Sequence, residues 1–115
     1  MSKITIIHNS RCSKSREALS LLESKENVEV VEYLKNGLTS EQLKDILKKL
    51  NISAFDLLRK GEADYKTYIK GKVLTEVEVV DLMIQYPKLI ERPIIIQNDK
   101  AIIGRPPALV VDFVK

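Results

Sequence analysis

A single cysteine, Cys12, stands in the run His8-Asn9-Ser10-Arg11-Cys12-Ser13-Lys14-Ser15-Arg16. The β-branched stretch before it, Ile4-Thr5-Ile6-Ile7, reads as a buried strand. After it, Ala18, Leu19 and Leu22 fall on one stripe of a helix. The thiol therefore sits at, or just before, a helix N-terminus. Unpaired N–H groups and the helix dipole favour an anion there, which lowers a thiol's pKa. Arg11, Lys14 and Arg16 push the same way. A thiolate in a cationic turn is a nucleophile, and the turn is a place where an oxyanion can bind.

Three further arginines fall at the edges of elements. Arg59 ends a short helical segment before Lys60-Gly61, Arg92 precedes Pro93, and Arg105 follows Gly104. Glycine and proline neighbours set the backbone at the last two positions, so those side chains can be aimed. Guanidinium groups bind tetrahedral oxyanions through paired, directional hydrogen bonds. Cys12 with convergent arginines would suit attack on phosphate, arsenate or a similar anion. Phosphatase-type loops place an arginine six positions after the cysteine, and here that position is Ala18. Arg16 follows about one helical turn after Cys12, so it faces either the thiol or solvent.

The elements that must position these groups are legible along the chain. Ile4–Ile7 is the first strand, Ser13 to about Lys25 the first helix with Ser13 as its cap, and Val28–Tyr33 the second strand. A strand–helix–strand unit of this length predicts a parallel pair with a right-handed crossover. Thr39-Ser40-Glu41-Gln42 and Thr75-Glu76-Val77-Glu78 are capping boxes. The first opens a helix with Leu43, Ile46, Leu47 and Leu50 on one face, the second a helix carrying Val79, Val80, Met83 and Ile84 that Pro87 helps to stop. Between them Ser53 caps a short helix through Phe55, Leu57 and Leu58, and Tyr65 and Tyr68 share a helix face and read as packing. Pro93–Gln97 and Ala101–Ile103 flank a hairpin turn at Asn98-Asp99-Lys100. Pro107 then suits the first turn of a final helix over Ala108–Val114, with Leu109, Val110 and Phe113 on one side. The order βαβ, helices, ββα gives an α/β fold: a small mixed sheet covered by helices.

A chain of 115 residues with a net charge of +3 suits one compact domain. Apolar runs fall short of a membrane span, and Met1-Ser2-Lys3 leads into the first strand with no signal-peptide pattern. One cysteine makes no internal disulfide and suits a reducing cytoplasm. With no zinc-like Cys/His cluster in the sequence, no metal is expected. Charges of both signs are interspersed, Trp is absent, and no basic run is interleaved with aromatics, so a nucleic-acid surface is not expected.

The chain resembles the thioredoxin-fold, glutaredoxin-dependent arsenate reductase family. The likeness runs over essentially the whole length. It is carried by the segments His8–Arg16, Leu57-Leu58-Arg59-Lys60, Leu89-Ile90-Glu91-Arg92-Pro93-Ile94 and Ile103-Gly104-Arg105-Pro106-Pro107. It implies a single thioredoxin-like domain over 1–115, with a mixed four-stranded sheet and a helical insertion at about 38–88 between the second and third strands. It implies Cys12 as the nucleophile, and Arg59, Arg92 and Arg105 as the arginines that handle the oxyanion. His8 matches a residue that helps to keep the thiol ionised, with Ser15 and Arg16 as supporting residues, and the Arg92–Pro93 bond matches a cis-proline. It further implies glutathione as co-substrate and glutaredoxin as protein partner; no bound cofactor is expected, and the chain is expected to be a monomer away from membranes and nucleic acids. Where the better-characterised members carry Gly-Thr, this turn has Ser13-Lys14, as in a sister group.

Two other readings use the same residues. Spx-type transcription regulators, which bind RNA polymerase, share the fold, but many carry a Cys-x-x-Cys switch, and here the second position is Ser15. A glutathione-dependent thiol enzyme acting on another oxyanion or on a mixed disulfide would need the same groups as an arsenate reductase.

Overall fold

A computed structural model describes residues 3–114. Met1 and Ser2, part of the segment read above as a lead-in without a signal peptide, lie outside the described residues. The chain divides into two compact units, residues 1–36 with 92–115, and residues 37–91.

The first unit is built on a four-stranded sheet in the order β2-β1-β3-β4. Its strands are β1 (Ile4–His8), β2 (Val28–Glu32), β3 (Ile94–Gln97) and β4 (Lys100–Ile103). β1 runs parallel to β2, with Ile4 opposite Val28, and antiparallel to β3, with Ile4 opposite Gln97. This is the mixed thioredoxin-like sheet, and the strand–helix–strand unit is parallel as the connection rule requires. Helix α1 (Ser13–Leu21) and the C-terminal helix, which spans Leu109–Phe113, pack on it. The core between them is Ile4, Ile6, Ala18, Leu22, Ile95, Val110 and Val114, with Leu19 and Phe113 against it. Truncating Leu22, fully buried there, would cost about 2–5 kcal/mol.

Several boundaries differ from the sequence reading, each for a local reason. α1 stops at Leu21 rather than near Lys25, because the polar run Glu23–Asn27 holds no apolar residue to bury and Asn27 turns left-handed at φ 58°. Its cap is Cys12, not Ser13. Tyr33 leaves the strand and opens a short helix, α2 (Tyr33–Asn36), in which its ring is fully buried. The hairpin turns on Asn98 and Asp99 alone, with Asn98 at φ 58°, and Lys100 already pairs in β4. On the last helix Val110 is buried, whereas Leu109 faces outward.

The second unit is helical. It contains α3 (Ser40–Leu50), a 3-10 turn at Ala54–Leu57, α4 (Ala63–Tyr68), α5 (Glu76–Gln85) and a 3-10 turn at Pro87–Leu89; the C-terminal helix is then α6. Both capping boxes form: Thr39 Oγ1 accepts from the Gln42 N–H and Thr75 Oγ1 from the Glu78 N–H. The Ser53 segment makes a single tight turn, since Leu58 leaves it to pair with Ile90 in an isolated antiparallel bridge. Leu43, Ile46, Leu47, Leu57, Val79, Val80, Met83 and Leu89 are buried. Tyr68 stacks on Tyr86 with ring centres 4.2 Å apart.

Candidate functional site

The site grows from the end of β1. His8 is buried at 4 % exposure, and the chain turns at once through Asn9, Ser10 and Arg11. Asn9 shapes that turn. Its Oδ1 accepts the Arg11 N–H at 3.0 Å, and its carbonyl accepts the Cys12 N–H at 3.0 Å. A short amide side chain mimics a backbone turn in this way. Cys12 arrives at the N-cap of α1 with φ −95° and ψ 122°, and its carbonyl takes the first helical bond, from the Arg16 N–H at 3.0 Å.

A cysteine at this cap leaves its sulfur over the unpaired amides of the first turn. Half-burial pushes the thiol pKa up. The Ser15 amide, the Arg92 guanidinium by hydrogen bond and by charge, and the Lys14 amide outweigh that and hold it below its ordinary value of 9.0. Arg105 donates from Nη2 to Cys12 Sγ at 3.3 Å and from Nε to the Arg92 carbonyl at 2.7 Å. Both arginines come from the β3–β4 hairpin, Arg92 just before it and Arg105 just after. The Gly104 N–H donates to the Pro93 carbonyl at 2.8 Å, which ties these ends together. A Cβ on Gly104 would stand 3.1 Å from both Pro93 Cγ and Val110 Cγ2, so any side chain there would force those neighbours to give. The Arg92–Pro93 bond is cis, as the resemblance implies, and so is Arg105–Pro106.

Ser15 is fully buried beneath the turn. Its Oγ lies 2.7 Å from His8 Nδ1 and accepts the Asn9 N–H at 3.1 Å. The hydroxyl thus ties the helix start to the strand end, and it is the Ser15 amide that serves the sulfur. Burial pushes the His8 pKa below 6.5, opposed by Glu32 and aided by Arg16, so the ring is neutral near pH 7. Arg16 is exposed and donates to the Ser10 carbonyl at 3.0 Å, clipping the turn from outside.

The structure thus brings His8, Cys12, Ser15, Arg16, Arg92 and Arg105 together within the first unit. Arg59 belongs to the helical unit. There its N–H donates to the Leu89 carbonyl at 2.8 Å, and its guanidinium lies 3.6 Å from Glu62 and 3.5 Å from Glu91. Sequence reasoning missed Asn9, although an asparagine directly after a strand is a turn signal. It also missed Glu62 and Glu91, for which no local signal exists. Among the described residues, no group of three or more His, Cys, Asp or Glu could hold a metal ion.

A thiol poised to ionise against two guanidiniums can attack an electrophilic oxyanion. The family model described as the ArsC family matches residues 7–113. The chain belongs to the ArsC family. It is 45 % identical to the uncharacterized protein YfgD of Escherichia coli K12, with 97 % of each chain covered. It is 39 % identical to an arsenate reductase of Haemophilus influenzae, over 96 % of this chain and 97 % of the relative. A solved arsenate reductase structure from Vibrio cholerae superposes with a TM-score of 0.89 at 37 % identity, over 96 % of both chains. The ArsC match takes in Cys12 and the three arginines. No helix among the described residues is long and apolar enough to cross a membrane.

Proposed function

We propose that this chain is an arsenate reductase whose nucleophile is Cys12 and whose resolving thiols come from glutathione and glutaredoxin. The observation that carries the reading is the 3.3 Å contact from Arg105 to Cys12 Sγ, in a turn that holds the thiol below its ordinary pKa. Family membership and the activity named for its relatives support the choice of arsenate.

The steps follow from the groups present. Arg92 and Arg105 offset the repulsion between a thiolate and an anionic substrate. Arg59 is read as a third guanidinium for the oxyanion, on the resemblance. The Cys12 thiolate attacks arsenic, an S–As bond forms, and a protonated oxygen leaves as hydroxide. Glutathione, as its thiolate, then attacks the Cys12 sulfur. An S–S bond forms, the S–As bond breaks, and its electron pair stays on arsenic, which falls from the +5 to the +3 state as arsenite. Two thiols have been oxidised to one mixed disulfide, which matches the two electrons gained. Glutaredoxin takes the glutathione from Cys12 by thiol–disulfide exchange, restoring the free thiol. Such a cycle belongs in a reducing compartment, the cytoplasm.

The test is arsenate-dependent NADPH oxidation, coupled through glutathione reductase, glutathione and glutaredoxin. Turnover in the wild type and none in Cys12→Ser is expected. Arsenite release that persists in Cys12→Ser would overturn the reading.

A further inference from the structure

The turn carries two cations that the site as described does not use. Arg11 and Lys14 flank Cys12 and are exposed, and among the described residues neither side chain makes an ion pair or a hydrogen bond. The guanidiniums set against the thiol are those of Arg92 and Arg105; from Lys14 the thiol uses the backbone amide. Arg16, by contrast, is committed to the Ser10 carbonyl.

Their position runs against helix electrostatics. Cations at a helix N-terminus oppose the dipole, and acidic residues belong there. The other long helices obey this: α3 has Glu41 in its first turn, and α5 has Glu76 and Glu78, each behind a threonine cap. α1 has no acid in its first turn and no side-chain cap bond. A local rule broken beside a reactive group marks a functional constraint.

Resting on the Cys12 reading above, we propose that Arg11 and Lys14 are specificity-determining residues for the small thiol that resolves Cys12. They select one bearing carboxylates over a neutral or cationic thiol. Cys12 is the only cysteine of this sequence, so the resolving sulfur is external. It must approach a sulfur already flanked by Arg92 and Arg105. Carboxylates held on the solvent side by Arg11 and Lys14 would orient such a thiol, leaving the two inner arginines to the oxyanion.

The experiment isolates resolution from arsenate chemistry. Cys12 is first converted to its pyridyl mixed disulfide with dithiodipyridine. Glutathione or its diethyl ester then attacks the Cys12 sulfur; a new S–S bond forms, the old one breaks, and pyridine thione leaves and is followed by absorbance. The quantity read is the rate ratio of glutathione to ester, in wild type, Arg11→Gln, Lys14→Gln and the double variant. Any change in Cys12 itself alters both rates and cancels in the ratio. At low ionic strength each substitution should lower the ratio by about threefold, and the double variant by about tenfold. About 0.5 M salt should bring the wild-type ratio down to that of the double variant. Lys14→Arg should keep the wild-type ratio.

A ratio unchanged in the double variant would overturn the inference even if arsenate is reduced. A lowered ratio would support it even in a chain that reduces no arsenate, so the two failures are distinguishable. A drop in the ratio that salt does not reproduce would also overturn it, because the discrimination would then be one of shape.

Discussion

Replacing Arg105 by glutamine removes the guanidinium that stands 3.3 Å from Cys12 Sγ and bonds the Arg92 carbonyl at 2.7 Å. A hydrogen bond from a charged donor contributes about 1.5–3 kcal/mol in a dry setting. Cys12 and Arg105 are both half-buried, so solvent screening leaves about 1–2 kcal/mol in favour of the thiolate. A tenfold change in a protonation equilibrium corresponds to about 1.4 kcal/mol, so the thiol midpoint should rise. Below both midpoints the thiolate fraction then falls roughly tenfold. The assay is the rate of alkylation by iodoacetamide, a neutral reagent, followed from about pH 5 to pH 10. Arg105→Gln should shift the profile to higher pH and leave its plateau equal or slightly higher, since a more basic thiolate is intrinsically more nucleophilic. Arg105→Lys should restore part of the shift, because one ammonium lacks the fork that reaches both acceptors. A midpoint that stays in place in Arg105→Gln would mean that the contact contributes nothing to ionisation.

Three further outcomes follow from the same geometry. Ser15→Ala leaves His8 Nδ1 and the buried Asn9 N–H without their partner, so urea denaturation should show a loss of about 2–4 kcal/mol; a loss below about 0.5 kcal/mol would mean that the hydroxyl does not tie strand to helix. His8 has a pKa held below 6.5 in the fold, so the unfolded chain binds its proton first as pH falls. Stability should therefore be full above that value and decline below it, by up to about 1.4 kcal/mol per pH unit; His8→Gln should flatten that decline, and an unchanged slope would show that His8 is not its source. Gly104→Ala places a methyl group 3.1 Å from Pro93 Cγ and Val110 Cγ2 and should cost about 1–3 kcal/mol by thermal denaturation, with a raised thiol midpoint as Arg105 is displaced; a stable variant with an unshifted midpoint would separate that close approach from the site.

What the sequence made legible was whatever neighbours in the chain decide. The Thr39 and Thr75 boxes need only residues three apart, and both formed as read. The β1 strand and the Ala18–Leu22 stripe of α1 have periods that show in any short window. The place of Cys12 at the start of α1 was legible because a short polar run separates a strand pattern from an apolar helical stripe. Local signals failed where tertiary partners decide. Leu58 continues an apolar helical pattern, yet it pairs with Ile90, far along the chain. Tyr33 has strong strand character, but its buried ring starts α2. The meeting of Arg105 with Cys12 spans 93 positions, and spacing alone could not show it. Nor could spacing say that the Ser15 hydroxyl turns to His8 while its amide serves the sulfur, since that depends on the depth at which the helix start lies against β1.

The most direct test of the central claim is a single turnover without glutaredoxin. The protein is mixed with arsenate and glutathione, arsenite is quantified, and the intact mass is read at the same time. One arsenite should be released for each chain that gains one glutathione at Cys12, with neither product in Cys12→Ser. Arsenite from the Cys12→Ser variant would contradict that claim. So would the lack of any arsenate-dependent adduct in a wild-type protein whose thiol still reacts with iodoacetamide.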